Sequence, residues 1–138
     1  MNLPSPMSEE LIQLRELAAK QPRLEMVLGA LDELDDAVII ADPAMTITYA
    51  NRKARLVFRY GETELVGQKV HMLVPLPIQE PHVGYTAKFW DNPTMRPMGA
   101  GKKLTGRRKD GTEFPCEIKL SPYSTGAEQY VSAQIRVL

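Results

Sequence analysis

The stretch LTGRRKDGTEFPCEIKLSP, residues 104–122, decides the fold of this 138-residue chain. Asp110 and Gly111 near its centre are typical of a tight hairpin turn, because glycine tolerates the positive φ that such turns require. After the turn, apolar residues alternate with polar ones, which places one side of the strand against a core and the other in water. The apolar positions are Phe114, Cys116, Ile118 and Leu120. The stretch therefore predicts two antiparallel strands, the first over about residues 102–109.

Three more strands are predicted on either side of this hairpin. Residues 38–41 form a short apolar run, whereas residues 45–50 and 129–137 alternate between apolar and polar side chains. Together with the hairpin, these segments give a five-stranded antiparallel sheet.

Helices are predicted between the second strand and the hairpin. Asn51 is a good N-cap for a helix that begins after it. The span between Pro81 and Pro93 leaves room for one helix over residues 82–90, since proline interrupts a helix interior. This order of segments predicts an α+β fold, with the sheet covered on one face by a helical belt. A belt over a sheet encloses a concave space, where a ligand of such a domain would bind.

The N-terminal third predicts a helical extension in front of this domain. Residues 1–7 carry two prolines and are expected to be a disordered lead-in, residues 8–33 a helical extension, and residues 34–138 the main domain. The extension carries an apolar stripe that needs a partner, either the domain's own sheet or the same helix of a second subunit. The stripe residues expected in a homodimer interface are Leu24, Leu28 and Leu31.

Composition excludes several classes of function. Seventeen basic and seventeen acidic residues cancel, so nothing suggests a nucleic-acid or membrane-surface partner. No apolar run approaches the roughly 20 residues that span a bilayer. The single cysteine excludes an internal disulfide and fits a cytoplasmic location. Neither a nucleophile-elbow pattern nor a zinc-ligand spacing occurs, so we do not expect an enzyme.

Four motifs together resemble PAS sensor domains. They are LDDAVIIAD at 34–42, ITYAN at 47–51, FRYGETELVGQ at 58–68 and the hairpin itself, and the resemblance covers about residues 31–137. It implies a PAS fold and a sensory or interaction module that regulates a kinase of a two-component system, a cyclic-dinucleotide enzyme, a chemoreceptor or a transcription factor. A ligand-free dimerisation module is the alternative to a ligand sensor. Whether the chain is a standalone protein or an excised domain is left open by the sequence.

His82 is the sharpest candidate for a ligand contact. Residues 81–89 resemble the helix that supplies the axial histidine in haem-binding PAS oxygen sensors, which implies His82 as an iron ligand of haem b and Tyr85 as the matching tyrosine. Lys88 and Arg96 would then lie near the haem propionates. Two positions depart from that pattern: Lys102 stands where those sensors carry a gas-contacting arginine, and the distal apolar position is the small Ala100.

Other interpretations of the same segment stay open. His82 can instead cap a helix or make a hydrogen bond at the pocket edge, and a flavin, with Trp90 and Asn92 beside its ring, is a further cofactor candidate. We expect Cys116 to be a buried, inert thiol and His71 to be a loop or surface histidine. The residues predicted to bind a cofactor or line the cavity are His82, Tyr85, Lys88, Phe89, Arg96, Met98, Ala100, Lys102 and Leu104.

Overall fold

In a computed structural model of the protein, residues 26–98 and 103–138 are described. The chain divides into two compact units, Met1–Glu33 and Leu34–Leu138. In the first unit, residues 26–32 are helical (α1), with Leu28 and Leu31 half-buried. The predicted lead-in, the earlier part of the helical extension and Leu24 lie outside the described residues.

The second unit is built on an antiparallel sheet. Its strands in the described part of the chain are β1 (Ala37–Ala41), β2 (Ile47–Ala50), β3 (Arg96–Pro97), β4 (Leu104–Arg107), β5 (Glu113–Thr125) and β6 (Glu128–Val137). The spatial order is β2-β1-β6-β5-β3, and β4 pairs with β5 along the same edge as β3. The first and last long strands of the unit, β1 and β6, therefore lie side by side at the centre of the sheet.

The predicted hairpin is present, and its turn uses glycine as expected. β4 pairs with β5 from Leu104 opposite Cys116 to Arg107 opposite Glu113. Gly111 has a φ of 87°, and its N–H donates to the carbonyl oxygen of Arg108 at 2.9 Å. The five predicted strands all occur. A sixth, the two-residue β3, was not predicted, because pairing with Leu120 and Lys119 of β5, rather than any local pattern, makes Arg96–Pro97 a strand.

Three helical segments cross one face of the sheet: α2 (Arg52–Phe58), a 3₁₀ helix (Val70–Leu73) and α3 (Leu76–Phe89). The predicted start of α3 at residue 82 is wrong, since the helix begins six residues earlier. Pro77 lies in its first turn, where no backbone N–H bond is required. Pro81 lies inside the helix, which continues through it to Phe89.

Asn51 fastens α2 to the sheet, which confirms its predicted role as an N-cap. Its Oδ1 accepts hydrogen bonds from the N–H groups of Ala54 and of Val38 on β1, both at 2.9 Å. Its Nδ2 donates to the carbonyl oxygen of Asp36 at 3.1 Å. The side chain is fully buried, and one residue thus satisfies polar backbone groups of both a helix and a strand.

Around Asn51 the interior is closely filled, and we call this region the packed end. Its members are Ile47, Asn51, Ala54, Leu65 and Phe114, none more than 3% exposed. Phe58 at the end of α2 contacts Phe114 edge to face, with ring centroids 5.3 Å apart. Gly106 lies opposite Phe114 on β4, and a Cβ at Gly106 would lie only 2.8 Å from Cε1 of that ring. The ring therefore fills the space that a side chain would take.

Candidate functional site

The other end of the interior is open and holds a cavity of about 760 Å³ between the sheet and α3. This volume lies within the range of small-molecule sites. Its wall is mostly apolar, and β1, β5 and β6 contribute every second residue because alternate side chains of a strand face the same side. The lining residues from the strands include Ile39, Ala41, Leu104, Cys116, Ile118, Leu120, Val131, Ala133 and Ile135.

The structure brings together the predicted site residues that it describes. Seven of the nine line the cavity, while Ala100 and Lys102 lie outside the described residues. The seven are His82, Tyr85, Lys88, Phe89, Arg96, Met98 and Leu104. His82, Tyr85 and Phe89 have helical spacings of three and four residues, which place them on one face of α3. The early start of α3 adds Ile78 to this face, one turn before His82.

The charged residues of the lining are all cationic in the part of the chain that the structure describes. They are Lys88 and Arg96, and no carboxylate joins them. Both side chains are exposed at the cavity rim, and the Arg96 guanidinium lies 5.2 Å from the centre of the Phe89 ring. Tyr85 is 69% exposed although it also lines the cavity. The cavity therefore opens to solvent where Lys88 of α3 and Arg96 of β3 lie.

His82 is the buried polar residue of the site, with 8% of its surface exposed. Its Nδ1 lies 2.8 Å from Nδ1 of His71 on the 3₁₀ helix, and the two rings meet edge to face. Burial, followed by the neighbouring His71, lowers the pKa of His82 to about 4. Burial, followed by the charge of Lys69, also lowers the pKa of His71. Both imidazoles are therefore neutral at neutral pH.

The prediction for His71 is wrong, because this residue is half-buried and contacts the site residue His82 rather than lying free on a loop. The two histidines are eleven residues apart, and their contact depends on how the 3₁₀ helix packs on α3. The only signal in the sequence was that this chain has two histidines and both lie near the predicted cavity helix.

Cys116 is fully buried, as predicted, and its thiol faces the cavity wall. Burial raises the pKa of the thiol to about 11, against a smaller opposing effect of a hydrogen bond with the backbone of Gly106. A thiol with such a pKa stays protonated at neutral pH and is a poor nucleophile. The arrangement supports a packing role for Cys116.

The geometry does not support the two residues suggested as flavin ring contacts. Trp90 is absent from the cavity lining and packs instead in a small cluster with Ala41, Phe89 and Val131. Its indole N–H is buried without a hydrogen-bond partner among the described residues. Asn92 is exposed and does not line the cavity.

A second, smaller depression of about 360 Å³ lies beside α2 and β6. Acidic and basic side chains both line it, and two of its arginines form ion pairs, Arg59 with Asp110 and Arg136 with Asp36. Over residues 26–98 and 103–138, no cluster of three metal-binding side chains occurs. Nor does any helix in those ranges have the length and apolar character needed to span a membrane.

Comparison with protein families gives a match over most of the chain. A family model described as PAS fold matches residues 25–137. The sensor protein FixL of Bradyrhizobium diazoefficiens is 31% identical over 108 residues, which cover 78% of this chain and 21% of that protein. A probable serine/threonine-protein kinase of Dictyostelium discoideum is 28% identical over 88 residues, covering 64% of this chain and 6% of the kinase. The matched parts thus span only 21% and 6% of the length of these two curated relatives.

Solved structures share the same fold at low sequence identity. The PAS domain of an HTR-like protein from Haloarcula marismortui superposes with a TM-score of 0.72 at 17% identity, covering 90% of this chain and 98% of that one. The PAS domain of a two-component sensor histidine kinase gives a TM-score of 0.71 at 11% identity, covering 86% and 99%. These two structures support the assignment of the fold. The match to the family model supports the same assignment from the sequence.

Proposed function

This chain belongs to the PAS family, and from that premise we propose that it is a sensory module whose cavity binds a small ligand and whose surfaces contact a signalling partner. The observation that carries the proposal is the cavity of about 760 Å³ beside α3, open at one side and lined by His82. Its role in this proposal is recognition and not catalysis. The partner is a kinase, another output domain or a transcription regulator, and the single cysteine fits a cytoplasmic setting.

The lining supports one chemical class of ligand. An apolar wall favours an apolar body, and a rim with two cations and no carboxylate among the described residues favours an anionic end. We therefore expect an amphipathic anion whose apolar part lies between α3 and the sheet. Ligand binding would stabilise one arrangement of α3 against the sheet, and this difference in free energy would reach the partner.

A matched pair of probes tests this class. Decanoate and decanol have the same apolar body, but only decanoate carries a charge, so calorimetry should give tighter binding for decanoate. Arg96→Ala should weaken decanoate binding about tenfold, equivalent to about 1.4 kcal/mol, and leave decanol unchanged. Lys119→Ala removes an equal charge from an exposed β5 residue that does not line the cavity, and serves as the control. Equal losses in both variants would contradict a specific anion contact.

A haem-based gas or redox sensor is the second candidate, favoured by the state of His82. A neutral imidazole whose other nitrogen is hydrogen-bonded is the usual form of a metal-ligating histidine. Haem is itself an amphipathic anion, so Lys88 and Arg96 would meet its propionates while the apolar wall excludes water. When bound, haem supplies an iron that can take up a diatomic gas. The residues present thus fit this group.

Absorption spectroscopy separates the two candidates. Hemin added to the purified protein should give a Soret band that His82→Ala abolishes if His82 is the ligand. A band that is unchanged in His82→Ala would reject this role. A spectrum without any band would leave a colourless amphipathic ligand, which mass spectrometry of the purified protein can identify.

We also propose that the chain forms a homodimer through its N-terminal helix, with or without a ligand. The support is the apolar stripe in the sequence to which Leu24, Leu28 and Leu31 belong. Light scattering at micromolar concentration should give a dimer, and Leu28→Glu should shift it towards monomer. A monomeric wild type would contradict the proposed dimer but would not contradict the proposed ligand site.

A further inference from the structure

The contact between His71 and His82 joins a cavity residue to a residue outside the cavity. His82 lines the cavity and His71 does not. Their Nδ1 atoms are 2.8 Å apart, a distance at which one nitrogen donates a hydrogen and the other accepts it. Because Nδ1 of His82 is engaged in this way, Nε2 is the ring nitrogen of His82 that is left to meet a ligand.

Two neutral imidazoles can share this hydrogen bond in two ways. If His82 donates from Nδ1, its Nε2 carries a lone pair that can accept a hydrogen bond or bind a Lewis acid. If His71 donates instead, Nε2 of His82 carries a hydrogen and can only donate. The direction of one hydrogen bond therefore decides whether the cavity presents an acceptor or a donor.

Two observations favour the first arrangement. Lys88 and Arg96 give the cavity a positive potential, which attracts the lone-pair side of an imidazole and repels its N–H side. The remaining wall is mostly apolar, where a buried N–H without an acceptor is costly. His71 is half-buried, so its own Nε2–H can find water.

From this geometry we propose that His71 is a positioning residue: it accepts the Nδ1 hydrogen of His82 and thereby holds a lone pair on Nε2 of His82 for the cavity ligand. This inference rests on the proposed function, because it assumes that an amphipathic anion binds in the cavity. It adds one requirement to that class of ligand. An amphipathic anion that also carries a hydrogen-bond donor or a Lewis-acidic centre near His82 should bind better than one without it.

The direct test is the tautomer of each histidine in the ligand-free chain. Long-range ¹H–¹⁵N NMR near neutral pH should find His82 protonated on Nδ1 and His71 unprotonated on Nδ1. In His71→Leu, which cannot accept, His82 should change towards the Nε2-protonated form. In His71→Asn, the amide oxygen can accept, so the Nδ1-protonated form should return. An Nε2-protonated His82 in the wild type would overturn the proposal.

Binding of two probes gives a second readout. Hemin, which has a Lewis-acidic centre, should bind His71→Leu about tenfold to a hundredfold more weakly than the wild type, and His71→Asn should recover most of this loss. Decanoate, which has no such centre, should bind all three proteins alike. Equal hemin affinity in His71→Leu and the wild type would contradict the positioning role.

The two tests separate this inference from the proposed function. If neither probe binds the wild type, the proposed ligand class fails, while the NMR result still decides the direction of the hydrogen bond. If His71→Leu does not fold, the wild type and His71→Asn still give the tautomer.

Discussion

The packed end and the cavity lie on the same face of one sheet, but they are built in opposite ways. At the packed end, the Phe114 ring lies so close to Gly106, which stands at the border with the cavity, that Gly106 can carry no side chain without moving the ring. At the cavity, residues of β1, β5 and β6 help to surround about 760 Å³ of open space, although β5 also carries Phe114 of the packed end. The packed end holds helix, loop and strand together, whereas the other end leaves the space in which we propose that a ligand binds.

The largest expected effect comes from a side chain at Gly106, a residue at the border of the cavity whose added Cβ would press on the Phe114 ring of the packed end. Gly106→Ala places a methyl group against the ring of Phe114, which is buried between Phe58 and the Arg108 guanidinium and cannot move aside freely. We expect a loss of about 3 kcal/mol in the free energy of unfolding, measured by urea denaturation.

Gly84→Ala is the matched control on α3, because a Cβ there has no neighbour within 4 Å among the described residues. It should stabilise the protein by about 0.5–1 kcal/mol through helix propensity. If Gly106→Ala and Gly84→Ala have equal free energies of unfolding, the claim that the interior beside Gly106 is tightly packed is wrong.

Removing the Asn51 side chain should come next. Asn51→Ala leaves the buried N–H of Val38 and the N–H of Ala54 without their acceptor, so we expect a loss of about 2 kcal/mol in chemical denaturation. Asn92→Ala, at an exposed position, should change the stability by less than about 0.5 kcal/mol. A mild effect of Asn51→Ala would show that the fastening of α2 to β1 is dispensable.

The same substitution at both ends sharpens the comparison. Ala54→Leu overpacks the packed end and should cost about 2 kcal/mol, because Ala54 is fully buried. Ala133→Leu projects into the cavity, so it should change stability by less than about 1 kcal/mol and weaken decanoate binding. Thermal denaturation and calorimetry of the two variants give both quantities. A strongly destabilised Ala133→Leu would mean that the space beside β6 is already filled.

Lowering the pH should reduce the free energy of unfolding because His82 is buried in its neutral form. Its pKa is lowered from 6.5 to about 4 in the folded protein, so between these values the unfolded chain binds a proton that the native chain does not. The free energy of unfolding therefore falls as the pH drops through this window, by about 1–3 kcal/mol, and the full value holds above pH 6.5. His82→Gln should show a shallower fall in urea denaturation over the same range. Parallel curves would contradict the burial of a neutral His82.

Local sequence patterns correctly predicted the elements that depend on neighbouring residues, namely the hairpin turn and the start of α2. Asp110 and Gly111 marked the hairpin and Asn51 marked the start of α2. The same rules failed at Pro81, because proline disfavours a helix interior without excluding it, and α3 continues through this residue. They also missed Arg96–Pro97, which is a strand only through its pairing with β5.

The site was only partly predictable, for a related physical reason. His82, Tyr85 and Phe89 could be grouped by the family resemblance and by helical spacing. The contact of His71 with His82 could not, because it joins the 3₁₀ helix to α3, and their relative position depends on the packing of the whole belt. The size of the cavity could not be predicted either, because residues from many separate segments line it.

The most direct test of the comparison is an NMR measurement of where decanoate lies. In methyl-labelled protein, intermolecular nuclear Overhauser effects should connect the decanoate chain to Ile118, Leu120 and Val131 on the cavity wall. They should be absent at Ile47 and Leu65 of the packed end, which are only 1% exposed. Contacts at the cavity alone would support the account. Contacts at neither end, or equally at both, would contradict it.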